Sequence, residues 1–509
     1  MTPTPDIVVI GAGLAGTRLA ARARQLGADV TVLGEERHAP YNRVLLAEVL
    51  AGRYGPEVIA LPHTPVRRGA RVVRIDRAAR TVHCADGQIT RYGTLVLATG
   101  SRPVLPSLPG LPGGGEPGRL PDVVRPFRTL DDCLAIASAV RPGARVAVIG
   151  GGLLGVSVAS ALAGRGAEVV LLHRGERLME RQLDLSASAL VREHLAEQGV
   201  EVRTGCRVRG VRVPPPGAHA SSRTTLRLAP ETDPEAAPET TTEKAPGPAA
   251  GPSSASDHQP DHQPDHEPTG GRTLDVDLTG GPSLDVDLTV LACGVRPRVG
   301  LARSAGLLVH DGIVVDDELR TSDPWIRAIG DCAEHMGRVY ALAGPALEQA
   351  DALARSLTTA SPASAPPATA SPASASASPP PSAGAHYTGT RALTRLTLAP
   401  ARTPSVTAHA LGTANAPGTA PAPAPRTSTA LDLAVFGETT PRPGDDVVQL
   451  TDTTRRAHRK VVVRGDRLVG GVLLGDLGAV GALARAWEAD EVLPSATAPL
   501  HLLTPDGGS

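Results

Sequence analysis

Short runs of Val, Ile and Leu recur along the chain, bounded by small or charged residues. Ile7–Ile10, Val30–Leu33, Leu95–Ala98, Val146–Ile149, Val169–Leu172 and Leu288–Ala292 are the clearest. A short apolar run without alternation suits a strand buried on both faces, as in a parallel sheet. Helical patterns with glycine at their start follow several of these runs. Strand, glycine turn and helix in succession make the doubly wound α/β pattern, and the chain carries it twice. Near the C-terminus the pattern changes. Lys460-Val-Val-Val-Arg464, a turn at Gly465-Asp466 and Leu468–Leu474 predict a β-hairpin, followed by a short helix. A third, smaller α+β domain is expected there.

Three segments break the pattern: 214–271, 358–385 and 403–428. They are dominated by Pro, Ala, Ser and Thr. Too few large apolar residues remain to offset the entropy of ordering, so all three are expected to be disordered. The first holds the repeat Asp257-His-Gln-Pro, Asp261-His-Gln-Pro, Asp265-His-Glu-Pro. Imidazoles ligate metals, but a Pro-spaced tract offers no preformed cage, so a solvated linker is expected and no metal site. Leu274-Asp-Val-Asp-Leu-Thr recurs at Leu284, which reads as a local duplication.

Length and charge narrow the classes. At about 150 residues per domain, 509 residues suit about three domains. The balance of 51 basic and 52 acidic residues gives no electrostatic case for nucleic acid or an anionic membrane. No apolar run approaches the roughly 18–20 residues that span a bilayer. A soluble, cytoplasmic protein is expected. The five cysteines, at 84, 133, 206, 293 and 332, are too widely spaced for a C-x-x-C pair or a metal ligand set.

The chemistry-bearing motifs are two glycine loops. Gly11-Ala-Gly13-Leu14-Ala15-Gly16 follows a strand and opens a helix. Its three glycines allow a tight turn, approach to a pyrophosphate and close helix–strand packing, with the helix N-terminus facing the phosphates. The next strand ends at Leu33-Gly34-Glu35-Glu36, where a carboxylate can bind an adenosine ribose. Gly150-Gly-Gly152-Leu153-Leu154-Gly155 repeats the construction. Its second strand ends at His173-Arg174 without an acid. A basic residue there can accept a 2′-phosphate, which favours NADPH. The alternative is a solvated Arg174 with His173 on the ribose of NADH. Two dinucleotide sites in one chain imply a bound redox mediator, FAD, and an exchanging NAD(P)H.

Further motifs carry a family resemblance. Ala98-Thr99-Gly100 and Thr321-Ser-Asp-Pro-Trp-Ile-Arg-Ala-Ile-Gly330-Asp331 resemble those of the pyridine nucleotide–disulfide oxidoreductase superfamily. Tyr41-Asn-Arg43, Leu178-Met-Glu-Arg-Gln-Leu-Asp184, Gly294-Val-Arg-Pro297, Gly344-Pro-Ala-Leu-Glu-Gln349 and the hairpin Arg459–Asp476 are similar to the flavin half of the assimilatory nitrite reductase large subunit. The resemblance implies two Rossmann-like domains, the first discontinuous. The expected layout is 1–118 and 318–357 for FAD, 119–317 for NAD(P)H, and 386–509 for the C-terminal domain. It places Asp331 on the FAD ribityl chain or pyrophosphate and Arg43 by its phosphates. None of these residues is expected to be catalytic, because hydride passage needs placement and not a side-chain acid or base.

Three departures shape the expected function. No siroheme half or iron–sulfur cysteine set accompanies these motifs, so electrons would go to a partner: a nitrite or nitrate reductase component, or a ferredoxin-like carrier. No C-x-x-x-x-C pair follows the first loop, which excludes disulfide reduction. Glu48 and Ser157 stand where related reductases carry Lys and Glu. A reductase for ferredoxin or rubredoxin in another pathway, and a flavin-bound sensor with vestigial turnover, are the alternatives.

Overall fold

The computed structural model describes residues 6–111, 120–213, 224–230, 283–359, 386–391, 393–398, 430–493 and 503. A parallel sheet runs in the order Ile326–Ala328, Thr94–Leu97, Ile7–Ile10, Val30–Gly34, Arg67–Arg68. All four residues of the central strand Ile7–Ile10 are buried, as an unbroken apolar run requires. Each such side chain contributes about 1.5–3 kcal/mol by burial, which fixes the strand in the middle of the sheet. Helix Leu14–Gln25 packs along helix Ala343–Thr359, and Arg18 pairs with Asp351 at 2.7 Å.

A second parallel sheet has the order Glu201–Arg203, Glu168–Leu172, Arg145–Ile149, Leu288–Leu291, Val124–Pro126. The helix Leu153–Gly164 behind it is largely buried. The molecule is therefore α/β with two Rossmann-like units, as the apolar runs predict. The C-terminal sheet is antiparallel, in the order Leu393–Leu398, Leu431–Gly437, Arg467–Leu474, Ala457–Arg464, Asp446–Asp452. The predicted hairpin and the helix Val480–Glu488 are both present. One face of this sheet buries Phe436, Val461, Val463 and Leu473 with Trp487. The other face adds Leu433, Val435, Val472 and Leu474 to the core of the second sheet.

Packing moves several expected boundaries. Ala302, Leu307, Ile313 and Val315 lie in the core of the first sheet, so the chain returns there well before 318. These apolar residues precede the Thr321–Asp331 motif, which is why the motif alone places the return too late. Tyr387 is buried in the same core, and its N–H bonds the Asp317 carbonyl at 2.7 Å. The C-terminal domain thus begins after it. Within the segment 214–271, Thr224–Pro230 is a strand. It pairs antiparallel with Cys206–Arg212 and Ser283–Val286. Leu226 and Leu228 alternate with polar residues and are buried with Val208, Val211, Leu284 and Val286. That alternation stabilises a strand despite the Pro- and Thr-rich surroundings. The histidine repeat, and most of the three low-complexity segments, lie outside the described residues.

Candidate cofactor-binding site

The first glycine loop is built by steric exclusion. Gly11 has φ +115°, and a Cβ on it would lie 2.0 Å from the Ala98 carbonyl oxygen. A Cβ on Gly16 would lie 2.0 Å from the Gly11 carbonyl oxygen. The fold itself requires both glycines. A Cβ on Gly13 would meet nothing within 4 Å. Gly13 therefore borders free space at the start of helix Leu14–Gln25, where no side chain caps the backbone. The N–H groups of Leu14, Ala15 and Gly16 open the helix there, the arrangement that receives a phosphate.

Charged residues from distant segments surround this loop. Glu36 accepts a hydrogen bond from the Tyr41 hydroxyl at 2.7 Å and pairs with Arg43. The Tyr41 oxygen accepts from the Leu130 N–H at 2.9 Å, and burial raises the tyrosine pKa. Arg43 also donates to the Arg128 carbonyl at 3.2 Å. Glu35 pairs with Arg298 at 2.7 Å and Arg71 at 3.6 Å. Arg128 reaches one oxygen of Asp331 at 2.8 Å, and the Ser101 hydroxyl donates to that oxygen at 2.7 Å. Burial lowers the Arg128 pKa, and Asp331 opposes the shift. The Arg128 Nε is buried without a partner. Thr99 Oγ1 donates to the Arg298 carbonyl at 2.8 Å, and the Gly100 carbonyl accepts the Arg298 N–H at 2.9 Å. Gly330 has φ +75°, and a Cβ there would lie 3.1 Å from the Ala15 Cβ. The Gly330 N–H is held by Gln349 Oε1 at 2.7 Å. Thus the residues predicted around the first loop converge.

The second loop repeats the steric logic. Gly150 has φ +119° and its Cβ would meet the Ala292 carbonyl oxygen at 2.3 Å. A Cβ on Gly155 would meet the Gly150 carbonyl oxygen at 1.7 Å, whereas Gly152 is open to 4 Å. Leu153 and Leu154 begin the helix behind it. His173 Nδ1 accepts the Gly151 N–H at 3.1 Å, so the neutral ring carries its proton on Nε2. That Nε2 is buried without a hydrogen-bond partner, and burial lowers the histidine pKa. Arg174 is exposed and makes no hydrogen bond or ion pair among the described residues.

These features fit two dinucleotides: paired open glycines, uncapped helix starts, and orphaned buried donors on Arg128 and His173. Arg128, Ser101 and Arg298 escaped the sequence reading, and Gln349 entered it only as the end of a family motif, with no hydrogen bond to Gly330 expected. The signal for Arg128 was the Thr129-x-x-Asp132 capping box of helix Leu130–Ala139, which fixes the chain just after it.

Other weighed residues find structural places. The Cys332 thiol lies against the Leu97 and Ile329 carbonyls at 3.4 and 3.3 Å, and burial raises its pKa. All five cysteines are free. Trp325 carries the Arg80 guanidinium 3.7 Å above its ring. Glu48 pairs with Arg53, and the Ser157 hydroxyl donates to the Leu153 carbonyl at 2.8 Å. Among the described residues there is no cluster that could hold a metal, and no helix is long and apolar enough to cross a membrane.

Two parallel-sheet domains, each with an open glycine loop, make the architecture shared by two-dinucleotide oxidoreductases. The chain belongs to the pyridine nucleotide-disulphide oxidoreductase family, whose sequence model matches residues 5–225 and 260–350. It is 31% identical over 359 residues to the assimilatory nitrate reductase electron transfer subunit of Bacillus subtilis, covering 68% of this chain and 38% of that protein. It is 30% identical over 491 residues to the nitrite reductase [NAD(P)H] large subunit of Klebsiella oxytoca, covering 93% of this chain and 39% of that one. The chain thus spans under two fifths of the length of either relative. The fold matches that of a ferredoxin reductase from Rhodopseudomonas palustris with a TM-score of 0.65 at 22% identity, over 96% of both chains.

Proposed function

We propose that the protein binds FAD at Gly11–Gly16 and NAD(P)H at Gly150–Gly155, and passes electrons to a partner in nitrite or nitrate assimilation. The observation that carries the reading is the pairing of two equivalent loops, each with one glycine facing free space. Bound together, the two dinucleotides supply hydride transfer and a flavin that can release electrons singly. The chain's residues bind and orient. Leu14, Ala15 and Gly16 present N–H groups to a pyrophosphate. Arg43, Arg128 and Asp331 hold the flavin's polar chain, and Ala98, Thr99 and Gly100 shape its floor. Glu35 or Glu36 takes the ribose. On the second loop, His173 and Arg174 face the adenosine end, and the unpartnered Arg174 supports NADPH as donor. No side chain is assigned a proton-transfer role.

The assimilatory assignment draws on the Bacillus subtilis electron transfer subunit, and the match to the Klebsiella nitrite reductase large subunit extends over 93% of this chain. The whole-length fold match to a ferredoxin reductase supports a second reading, reduction of a ferredoxin-like carrier. Cytoplasmic residence belongs to either reading. The test is steady-state reduction of ferricyanide by NADH and NADPH with purified protein, followed by capture of its acceptor. Fast turnover is expected and rules out a vestigial sensor. A captured siroheme or molybdenum enzyme supports assimilation, and a small iron–sulfur carrier supports the second reading.

A further inference from the structure

The turn 175–184 is strapped onto the second glycine loop. The Met179 N–H bonds the Gly151 carbonyl at 2.8 Å, while the Gly151 N–H bonds His173. Gly151 is thus fixed on both sides from outside its own loop. Met179 itself is buried at φ +51°, a conformation that persists only where the surroundings over-determine it. Its carbonyl is held by the Gln182 and Leu183 N–H groups at 2.8 and 2.9 Å.

The strap ends at Asp184. One carboxylate oxygen caps helix Leu185–Glu197 by accepting the Ala187 N–H at 3.0 Å. The other faces the C-terminal domain, with His458 Nε2 at 3.0 Å and Lys460 Nζ at 3.6 Å. His458 is fully buried and Lys460 is 6% exposed. A buried ammonium persists only when paired, so Asp184 and Lys460 hold each other in place. Burial alone would raise the Asp184 pKa, but the His458 and Ala187 hydrogen bonds bring it down to about 2. At the far end of the same helix, Glu197 pairs with Arg456.

We infer that the C-terminal domain positions the nicotinamide nucleotide site, through the grip of His458 and Lys460 on Asp184. The inference rests on reading Gly150–Gly155 as that site. His458, Lys460 and Asp184 are positioning residues, since none of them lies on the glycine loop. Their effect runs from Asp184 through the 175–184 strap to Gly151. The Arg456–Glu197 pair belongs to the same domain contact but lies away from the strap.

The test compares the FAD-loaded parent with Lys460→Met, the double variant Asp184→Asn/Lys460→Met, and Arg456→Ala. Turnover of NADPH and NADH with ferricyanide is read beside equilibrium binding of each nucleotide to the oxidised protein. The first two variants should raise both KM and Kd about threefold or more, with kcat and FAD content near parent values. The double variant leaves no buried unpaired charge and carries the test if Lys460→Met folds poorly. Arg456→Ala should leave KM near the parent's. Unchanged KM and Kd in both variants, with normal parent turnover, overturns this inference and leaves the proposed function standing. An equal rise in Arg456→Ala also overturns it, because the contact then acts through general stability. A parent that binds neither nucleotide overturns the reading of the site and the inference with it.

Discussion

The two glycine loops share one steric plan but sit in different electrostatic surroundings. Around the first, carboxylates and guanidinium groups are knitted together: Glu36 with the nearby Arg43 and, from distant segments, Glu35 with Arg298 and Asp331 with Arg128. Around the second, the positions after the strand hold a half-buried imidazole whose pKa is lowered by desolvation and an exposed, unpartnered guanidinium. The difference bears on the two kinds of occupancy proposed for the loops. A cofactor that stays is served by a site closed from several segments, whereas one that comes and goes needs an open rim with few groups to rearrange. Under the proposed assignment, the shared glycines would admit a dinucleotide at each loop, and the surroundings would set how each one is held.

The largest effects should come from the open glycines. Gly13→Val fills free space without striking the chain, so the protein should fold but purify without FAD. Gly152→Val should keep its FAD and lose NAD(P)H-driven turnover. Absorbance of the flavin and ferricyanide assays read both. Equal flavin loss in the two variants would break the assignment of one loop to each cofactor. Asp331→Ala comes next. It leaves the largely buried Arg128 without its counter-ion, which should cost roughly 1.5–3 kcal/mol in stability, together with flavin content. Unfolding curves on flavin-free protein separate the two losses. An unchanged midpoint would mean that Arg128 finds another partner or water.

Much of this contrast was legible in the sequence, because local geometry dictates it. Only glycine avoids the Ala98 and Ala292 carbonyls at positions 11 and 150, so the motifs had to appear as written. The buried strands likewise had to be unbroken apolar runs. What was not legible depends on tertiary contact. Arg128 and Asp331 stand 203 positions apart, and nothing near either names the other. The early return of 302–315 to the first core depends on which sheet the apolar residues meet. Thr224–Pro230 was hidden by its neighbours, although Leu226 and Leu228 carried the alternation.

Arg174 offers a sharper probe of the second loop. If it receives a 2′-phosphate, Arg174→Ala removes a charge-assisted contact worth roughly 1.5–3 kcal/mol. KM for NADPH should then rise roughly ten- to hundredfold at this energy, with NADH nearly untouched. Equal effects on both cofactors would assign Arg174 to the solvent and leave the adenosine end to His173.

The smallest effect on turnover is expected from the stretch 231–282. It joins two strands that are already neighbours, with Thr224 opposite Val286 and Arg227 opposite Ser283. The described strands therefore need only a turn between them. The composition of the stretch, rich in Pro, Ala, Thr and Asp, gives it little with which to form a core. Replacing it with a short Gly/Ser turn should leave FAD content and ferricyanide turnover at parent values. Stability should hold or rise slightly, because a shorter connection costs less closure entropy, about 0.6 kcal/mol per halving of length. Normal ferricyanide activity combined with lost transfer to the natural acceptor would make the stretch a docking arm. Loss of NAD(P)H turnover with FAD retained would instead mean that it supports the second loop, and the contrast between a closed first site and an open second one would need redrawing.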